Sequence, residues 1–324
     1  MLSTAAIGAE KVIPAMQRSE MCDVVAIASR DASRAWEVAQ ALGIAHAYGS
    51  YEELLADPDI DAVYNPLPNH LHAEWTLRAA EAGKHVLCEK PLAMDAAEAE
   101  RVVEGCRRAG VSLMEAFMYR LHPQWVRVRG LVDQGRLGDL MAIQSWFSFR
   151  DVDPASICNV VEFGGGALMD IGCYPINVSR MMFGAEPDRV EAVMHRDQAF
   201  GTDVLVSAAM TFGNRQSTFT CSTVLESDQR VHLIGTEGRL LVEIPFNPPP
   251  DRATRLLLTV GEDTSEGLNT EVIEIPAKDQ YGVQGDLFSR AIIEGTQVPT
   301  PPEDAVGNMR LIDAIRSAAG STPP

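Results

Sequence analysis

Short apolar, β-branched runs alternate with amphipathic stretches through the first third of the chain. The runs predict strands over 24–29, 62–67, 85–89 and 111–117, with a shorter one near 45–48. Between them, apolar residues recur at helical spacing over 33–42, 51–56, 71–82 and 96–109. Gly43, Gly83 and Gly110 each follow such a run, as residues that close helices commonly do. This βαβα order predicts a parallel, doubly wound sheet.

The pattern changes after Phe117. A helix over 123–134 is followed by stretches of strand character at 141–149, 189–196, 204–212, 217–224, 230–234, 239–244, 255–260 and 271–275. Short turns such as Phe212-Gly213-Asn214 and Thr236-Glu237-Gly238 join several of them, which predicts a large, mostly antiparallel open sheet. A helical insert over 167–183 and two helices over 283–295 and 303–319 complete an α+β half. The expected division is 1–118 for an α/β nucleotide-binding domain and 119–324 for a substrate and oligomerisation domain.

Composition narrows the function. The chain has 324 residues, 46% of them apolar, with no run long enough to span a bilayer. Its net charge of −18, from 27 basic and 45 acidic residues, opposes binding to nucleic acid or anionic membrane. Six cysteines lie scattered without zinc-ligand spacing, and the N-terminus lacks the basic region of a secretory signal. Both features predict a cytoplasmic protein with reduced thiols. His70 and His72 sit two apart at a helix start and point in different directions, so no metal site is expected.

Four stretches carry candidate chemistry. Ser3-Thr4-Ala5-Ala6-Ile7-Gly8 leads into a helix, where backbone N–H groups suit a pyrophosphate. Only Met1 and Leu2 precede it, so the central first strand is expected to be truncated, the chain beginning a few residues late and the strand's neighbours exposed. The next strand ends Ala28-Ser29-Arg30. A hydroxyl and a guanidinium at that tip favour NADP over NAD, while Asp31 is expected to cap the following helix. Pro66, Asn69 and His72 belong to a Pro-rich segment whose extended backbone suits a flat ring edge, with Asn69 also a candidate cap. Glu89-Lys90-Pro91 ends a buried strand with two charges and a stop, which points Lys90 at a ligand beyond the sheet; the alternative is a surface ion pair in a βα loop.

In the second half, Gly164-Gly165-Gly166 precedes a helix that places Asp170 and Tyr174 four apart on one face. A tyrosine beside a lysine ammonium becomes a usable acid/base, so Tyr174 with Lys90 suits an alcohol–ketone interconversion. Asp170 then orients Tyr174 or substrate, or else serves as a first-turn charge on the helix dipole. Arg120 and His122, at the crossing between domains, are candidate substrate contacts or hinge residues.

Jointly these segments resemble the glucose-fructose oxidoreductase/inositol dehydrogenase (Gfo/Idh/MocA) family. The similarity is greatest to its dihydrodiol dehydrogenase, D-xylose dehydrogenase and glucose-fructose oxidoreductase branch. The resemblance implies an N-terminal Rossmann domain and a C-terminal α+β domain whose open sheet often joins subunits, giving a homodimer or homotetramer. It implies hydride transfer between NADP and a sugar or cyclic diol, with Lys90 at the active site and Tyr174, rather than the histidine of many members, as acid/base. An enzyme with tightly bound NADP that couples oxidation of one sugar to reduction of another, and a non-catalytic NADP-binding regulator, are the alternatives. Relatives often carry an arginine before the triple glycine where this chain has Cys158, which implies altered specificity.

Overall fold

The computed structural model describes residues 1–261 and 269–320. The chain forms two compact units, one of Met1–Met118 with Asp279–Met309, the other of Tyr119–Lys278 with the chain from Arg310 on. A single cut after residue 118 is therefore not how the chain divides.

In the first unit, Ala26–Ala28 (β1) pairs in parallel with His46–Tyr48 (β2). Ala62–Asn65 (β3), His85–Cys88 (β4) and Leu113–Glu115 (β5) form a second parallel set. Met1 and Leu2 join the two: the Leu2 N–H donates to the Tyr64 carbonyl at 3.0 Å, and the Ala28 N–H donates to the Met1 carbonyl at 3.0 Å. Two residues are thus enough to fill the centre of the sheet. The neighbours expected to be exposed are buried, with Ile27 and Ala28 at 0% and Val63 at 2% exposure. The Met1 ammonium donates to the Ala26 carbonyl at 2.7 Å, and burial pushes it down to about 5.

Helices Ile13–Gln17 (α1), Ala32–Leu42 (α2), Tyr51–Ala56 (α3), Asn69–Glu81 (α4) and Ala96–Ala109 (α5) alternate with these strands. Caps start three of them: Asp31 on the N–H groups of Ser33 and Arg34, Ser50 on Glu53, and Asp95 on Glu98. Asn69 is instead the first helical residue of α4, after Pro68 in the cap position.

The second unit holds Pro123–Asp133 (α6), Cys173–Phe183 (α7) and eight strands. The strands are Leu140–Arg150 (β6), Arg189–Arg196 (β7), Asp203–Phe212 (β8), Arg215–Ser222 (β9), Val224–Gly235 (β10), Gly238–Val242 (β11), Thr254–Val260 (β12) and Thr270–Ile275 (β13). Their order is β13-β12-β11-β10-β6-β9-β8-β7, and every pair is antiparallel except β6 with β9. Along β8, Val204, Val206, Ala208, Met210 and Phe212 are buried while Ser207 and Ala209 are exposed. The opposite face carries a row across the strands, Val193, Ser207, Thr220, Trp146 and Arg230, with Val193 66% exposed.

Gln280–Glu294 (α8) packs within the first unit, against α1. Gly282 lies so close to α1 that a Cβ there would sit 3.3 Å from the Ala15 carbonyl oxygen, and one on Gly285 would sit 3.1 Å from the Met16 side chain. Pro302–Gly320 (α9) contains the division at Met309/Arg310. No described helix is long and apolar enough to cross a membrane.

Candidate active site

The residues proposed for cofactor and substrate fall in both units. In the first unit the turn at Ser3 has φ +65°, a left-handed conformation costly for a residue with a Cβ, and the Ser3 hydroxyl accepts from the Ala5 N–H at 3.2 Å. Thr4, Ala5 and Ala6 are partly or fully exposed at the start of the following helix, whose first turns, Ile7–Val12, are of π type. Such segments are rare and recur at functional sites. Gly8 is buried: a Cβ there would meet the Met1 side chain at 2.6 Å and the Tyr64 ring at 3.7 Å. It lets helix and strand approach, while the exposed backbone belongs to the preceding residues.

At the tip of β1, Ser29 is nearly buried and accepts from the Asp31 N–H at 3.2 Å. The Asp31 carboxylate accepts from its own helix at 2.9 and 3.2 Å, which leaves no carboxylate at this tip directed outward by that strand. Arg30 is exposed, and it opposes the burial that raises the pKa of the Tyr51 phenol. This set fits a 2′-phosphorylated ribose better than a free diol, since a cation is presented and the acid is engaged.

Several side chains brace the tip of β4. The Tyr64 hydroxyl donates to Glu89 Oε1 at 2.6 Å, and Glu89 Oε2 accepts from the Lys90 N–H at 3.3 Å. The Lys90–Pro91 peptide is cis, and the Leu92 N–H donates to Glu115 Oε1 at 2.8 Å. His72 is buried, with Nδ1 2.7 Å from the Pro91 carbonyl oxygen and Nε2 2.6 Å from that of Leu67. Only an imidazolium donates to both; burial is the larger effect and pushes the ring down to about 4. The neutral ring donates from one nitrogen, and both nitrogens face backbone rather than a ligand. Asn65, wholly buried, ties the same segment together through His72, Thr76 and Leu67. Pro66 is buried beneath it. Lys90 itself is half-buried beyond the strand end.

In the second unit, Gly166 has φ +120° and no room for a side chain, because a Cβ would lie 2.9 Å from Asp203 Cγ. The Asp203 carboxylate accepts from the Leu168 N–H at 2.7 Å and so caps the helix that carries Asp170 and Tyr174. Its pKa is raised by burial, against that hydrogen bond. Asp170 lies in a second π-type segment, Leu168–Gly172, directly before α7. Tyr174 sits in an aromatic cluster, with ring centroids 5.1 Å from Phe246, 5.5 Å from Phe147 and 5.7 Å from Tyr119. One turn on, buried Asn177 accepts from the Tyr119 hydroxyl at 2.6 Å and from Arg120 at 3.3 Å. Arg120 is thus joined to the Tyr174 helix. His122, by contrast, accepts from the Gln124 N–H at 3.1 Å as the cap of α6, with its other nitrogen 3.2 Å from the Lys278 carbonyl oxygen. The side chain is buried. The triple glycine also explains the turn at Cys158: a Cβ on Gly165 would meet the Cys158 carbonyl oxygen at 2.6 Å. Burial raises that thiol to about 11.

Residues 3–117 match the oxidoreductase family with an NAD-binding Rossmann fold, and residues 125–241 match the GFO/IDH/MocA C-terminal domain. The chain belongs to the Gfo/Idh/MocA oxidoreductase family. Among curated Gfo/Idh/MocA proteins it is 47% identical over 320 residues to the uncharacterized oxidoreductase ORF334 of Rhizobium meliloti, covering 98% of this chain and 96% of the relative. It is 41% identical over 321 residues to D-xylose 1-dehydrogenase (NADP(+)) 2 of Haloferax volcanii, with the same coverage. A 3-ketoreductase from Actinomadura kijaniata, solved with NADP and TDP-benzene, superposes with a TM-score of 0.91 at 32% identity, over 98% of this chain and 96% of that one. As a Gfo/Idh/MocA member the chain belongs to oxidoreductases that act on sugar or diol hydroxyls.

Tyr64, Asp203 and Asn177 did not emerge from the sequence. Tyr64 looks like an ordinary strand residue, and its link to Glu89 follows from the parallel register that pairs Asn65 with Cys88. An acid opening a β-branched strand was the available signal for Asp203.

Proposed function

We propose that the protein is an NADP-dependent oxidoreductase of a sugar or cyclic diol, of the D-xylose or glucose dehydrogenase or dihydrodiol dehydrogenase kind. The observation that carries this reading is the braced tip of β4, where Tyr64 holds the Glu89 side chain before a half-buried Lys90 and His72 and Glu115 hold the backbone of Pro91 and Leu92 after it, at the carboxyl end of a parallel strand. The D-xylose dehydrogenase relative, named for NADP, supports it.

NADP, when bound, supplies the hydride acceptor or donor. Ser29 and Arg30 would hold its ribose phosphate, and the backbone of Thr4, Ala5, Ala6 and Ile7 its pyrophosphate. Pro66, Asn69 and Glu89 border the same edge of the sheet. Lys90 stabilises the developing alkoxide on the reacting carbon's oxygen. Tyr174 takes the hydroxyl proton during oxidation and returns it during reduction. Asp170 orients the substrate or the phenol, and Arg120 contributes a cation to substrate orientation. A homo-oligomer formed through the open face of the eight-stranded sheet completes the reading, and its exposed row around Val193 supports it.

The test is a screen of aldoses, diols and keto-sugars with NADP and NAD, following reduced-cofactor absorbance. Lys90→Ala and Tyr174→Phe should each lower kcat/KM at least about a hundredfold. Arg30→Ala should lower the NADP/NAD preference about tenfold or more. Near wild-type turnover in both the lysine and tyrosine variants would remove the assigned roles.

A further inference from the structure

We propose that Asp203 is a positioning residue for Tyr174, acting through the backbone turn that starts the helix carrying it. This rests on the reading of Tyr174 as the acid/base.

The helix that holds Asp170 and Tyr174 is not capped from within its own sequence. Ala167 stands at the N-terminal cap position and has no side-chain acceptor. The Leu168 N–H is met instead from 35 residues further on, at 2.7 Å, by the carboxylate of Asp203 at the start of β8. A cap supplied by an adjacent residue moves with its helix, whereas one supplied by β8 ties the helix start to the sheet. The same carboxylate lies against Gly166, where an added Cβ would overlap Oδ1. The Gly166 N–H in turn donates to the Cys158 carbonyl at 2.8 Å, and the Asp170 N–H donates to the Gly166 carbonyl at 3.0 Å. Residues 166–168 are thus clamped by β8 and by the chain before the triple glycine, and from Leu168 the helix runs on through its π-type segment and α7 to Phe183.

Stability alone does not call for a carboxylate here. Asp203 is 5% exposed, and burial works against its charge, while the Leu168 bond, Arg316 and Arg196 favour it. A buried ion seldom adds net stability; what it can add is a single geometry. The geometry fixed here is that of a helix whose Tyr174 ring must meet Phe246, Phe147 and Tyr119 together. Without the bond at Leu168 the first turn can shift on the sheet, and a misplacement of about 1 Å at a reacting group costs about a hundredfold in rate. A second support limits that shift: a Cβ on Gly172 would lie 3.0 Å from Cys221 Sγ on β9, so the helix is also seated closely there. The expected loss is accordingly smaller.

Fluorine NMR of the chain labelled with 3-fluorotyrosine tests this without a substrate. There are six tyrosines, and the Tyr174 resonance is the one missing from Tyr174→Phe. In Asp203→Ala that resonance should shift or split. In Asp203→Asn, which keeps an oxygen for the Leu168 N–H, it should return to its wild-type position. With D-xylose and NADP, Asp203→Ala should lower kcat about tenfold with the KM for NADP unchanged, and Asp203→Asn should recover most of the loss. In a Tyr174→Phe background Asp203→Ala should cost under about twofold, because it acts through the phenol. An unmoved resonance, a moved resonance with unchanged kcat, or the same loss on top of Tyr174→Phe overturns the proposal. Asp203→Ser, too short to reach Leu168, replaces the alanine variant if that one does not fold. If neither folds, Asp203 is a folding residue and the proposal is overturned too. If Tyr174→Phe keeps wild-type turnover, or D-xylose is not oxidised, the reading of the reaction fails, whereas the resonance still decides the link from Asp203.

Discussion

Gly166→Ala should be among the most damaging single-methyl additions to this chain. The residue sits at φ +120°, where a side chain brings strain of about 1–3 kcal/mol. The added methyl would also overlap Asp203 Oδ1 and lie 3.2 Å from Oδ2. Asp203 must then move, and its 2.7 Å bond from the buried Leu168 N–H is lost, at about 1.5–3 kcal/mol. The two effects together come to about 2.5–6 kcal/mol. Hydrogen exchange of peptides covering 168–183, read by mass spectrometry, isolates the second unit from the first. In an Asp203→Ala background the overlap is gone and only the backbone strain remains, so the same substitution should then cost about 1–3 kcal/mol. A loss under about 1 kcal/mol in the single variant, or an undiminished loss in the Asp203→Ala background, would refute the reasoning.

Three further outcomes follow from the geometry. Ser3→Ala keeps the left-handed turn and loses the hydroxyl acceptor, whereas Ser3→Gly loses the acceptor and relieves the strain. Glycine should therefore exceed alanine by about 1–2 kcal/mol in thermal unfolding, and equal stabilities would contradict a left-handed Ser3. The buried His72 has a folded pKa near 4, below its ordinary 6.5, so the unfolded chain binds more protons between those values. Its contribution is complete above pH 6.5 and is lost as pH falls towards 4, by on the order of 3–4 kcal/mol. His72→Gln should flatten the urea midpoint over that window, and an unchanged slope would show that the ring is not the titrating group. Val193→Asp, on the open sheet face, should shift the protein to a smaller species in sedimentation analysis; an unchanged mass would place the subunit contact elsewhere.

The alternation of β-branched runs and helical spacing made the first unit's layers legible, and the turn residues did the same for the antiparallel sheet. That Lys90 ends a buried strand was also visible, because charges after Val86-Leu87-Cys88 have nowhere to go but out of the sheet. Periodicity says that a helix buries a face but not against what, so α8 was grouped with its neighbours in sequence rather than with α1. The same limit hid Tyr64 from Glu89, 25 residues apart and joined only by parallel register. His72 and His122 show a different limit. An imidazole invites a chemical reading, yet at the start of a helix its nitrogens also suit loose backbone groups, and both rings lie within hydrogen-bond distance of such groups. The first strand was judged by length, whereas two residues with the right hydrogen bonds were enough.

The return of residues 279–309 to the first unit sets a timetable for synthesis. Residues 1–118 leave the ribosome with the α1 surface at Ala15 and Met16 still lacking Gly282 and Gly285, which are made some 160 residues later. At about 5–20 residues per second that interval lasts about 10–30 s. The nucleotide-binding unit is thus begun first and finished late, and a fragment ending at residue 118 would carry a permanent apolar wound where α8 belongs.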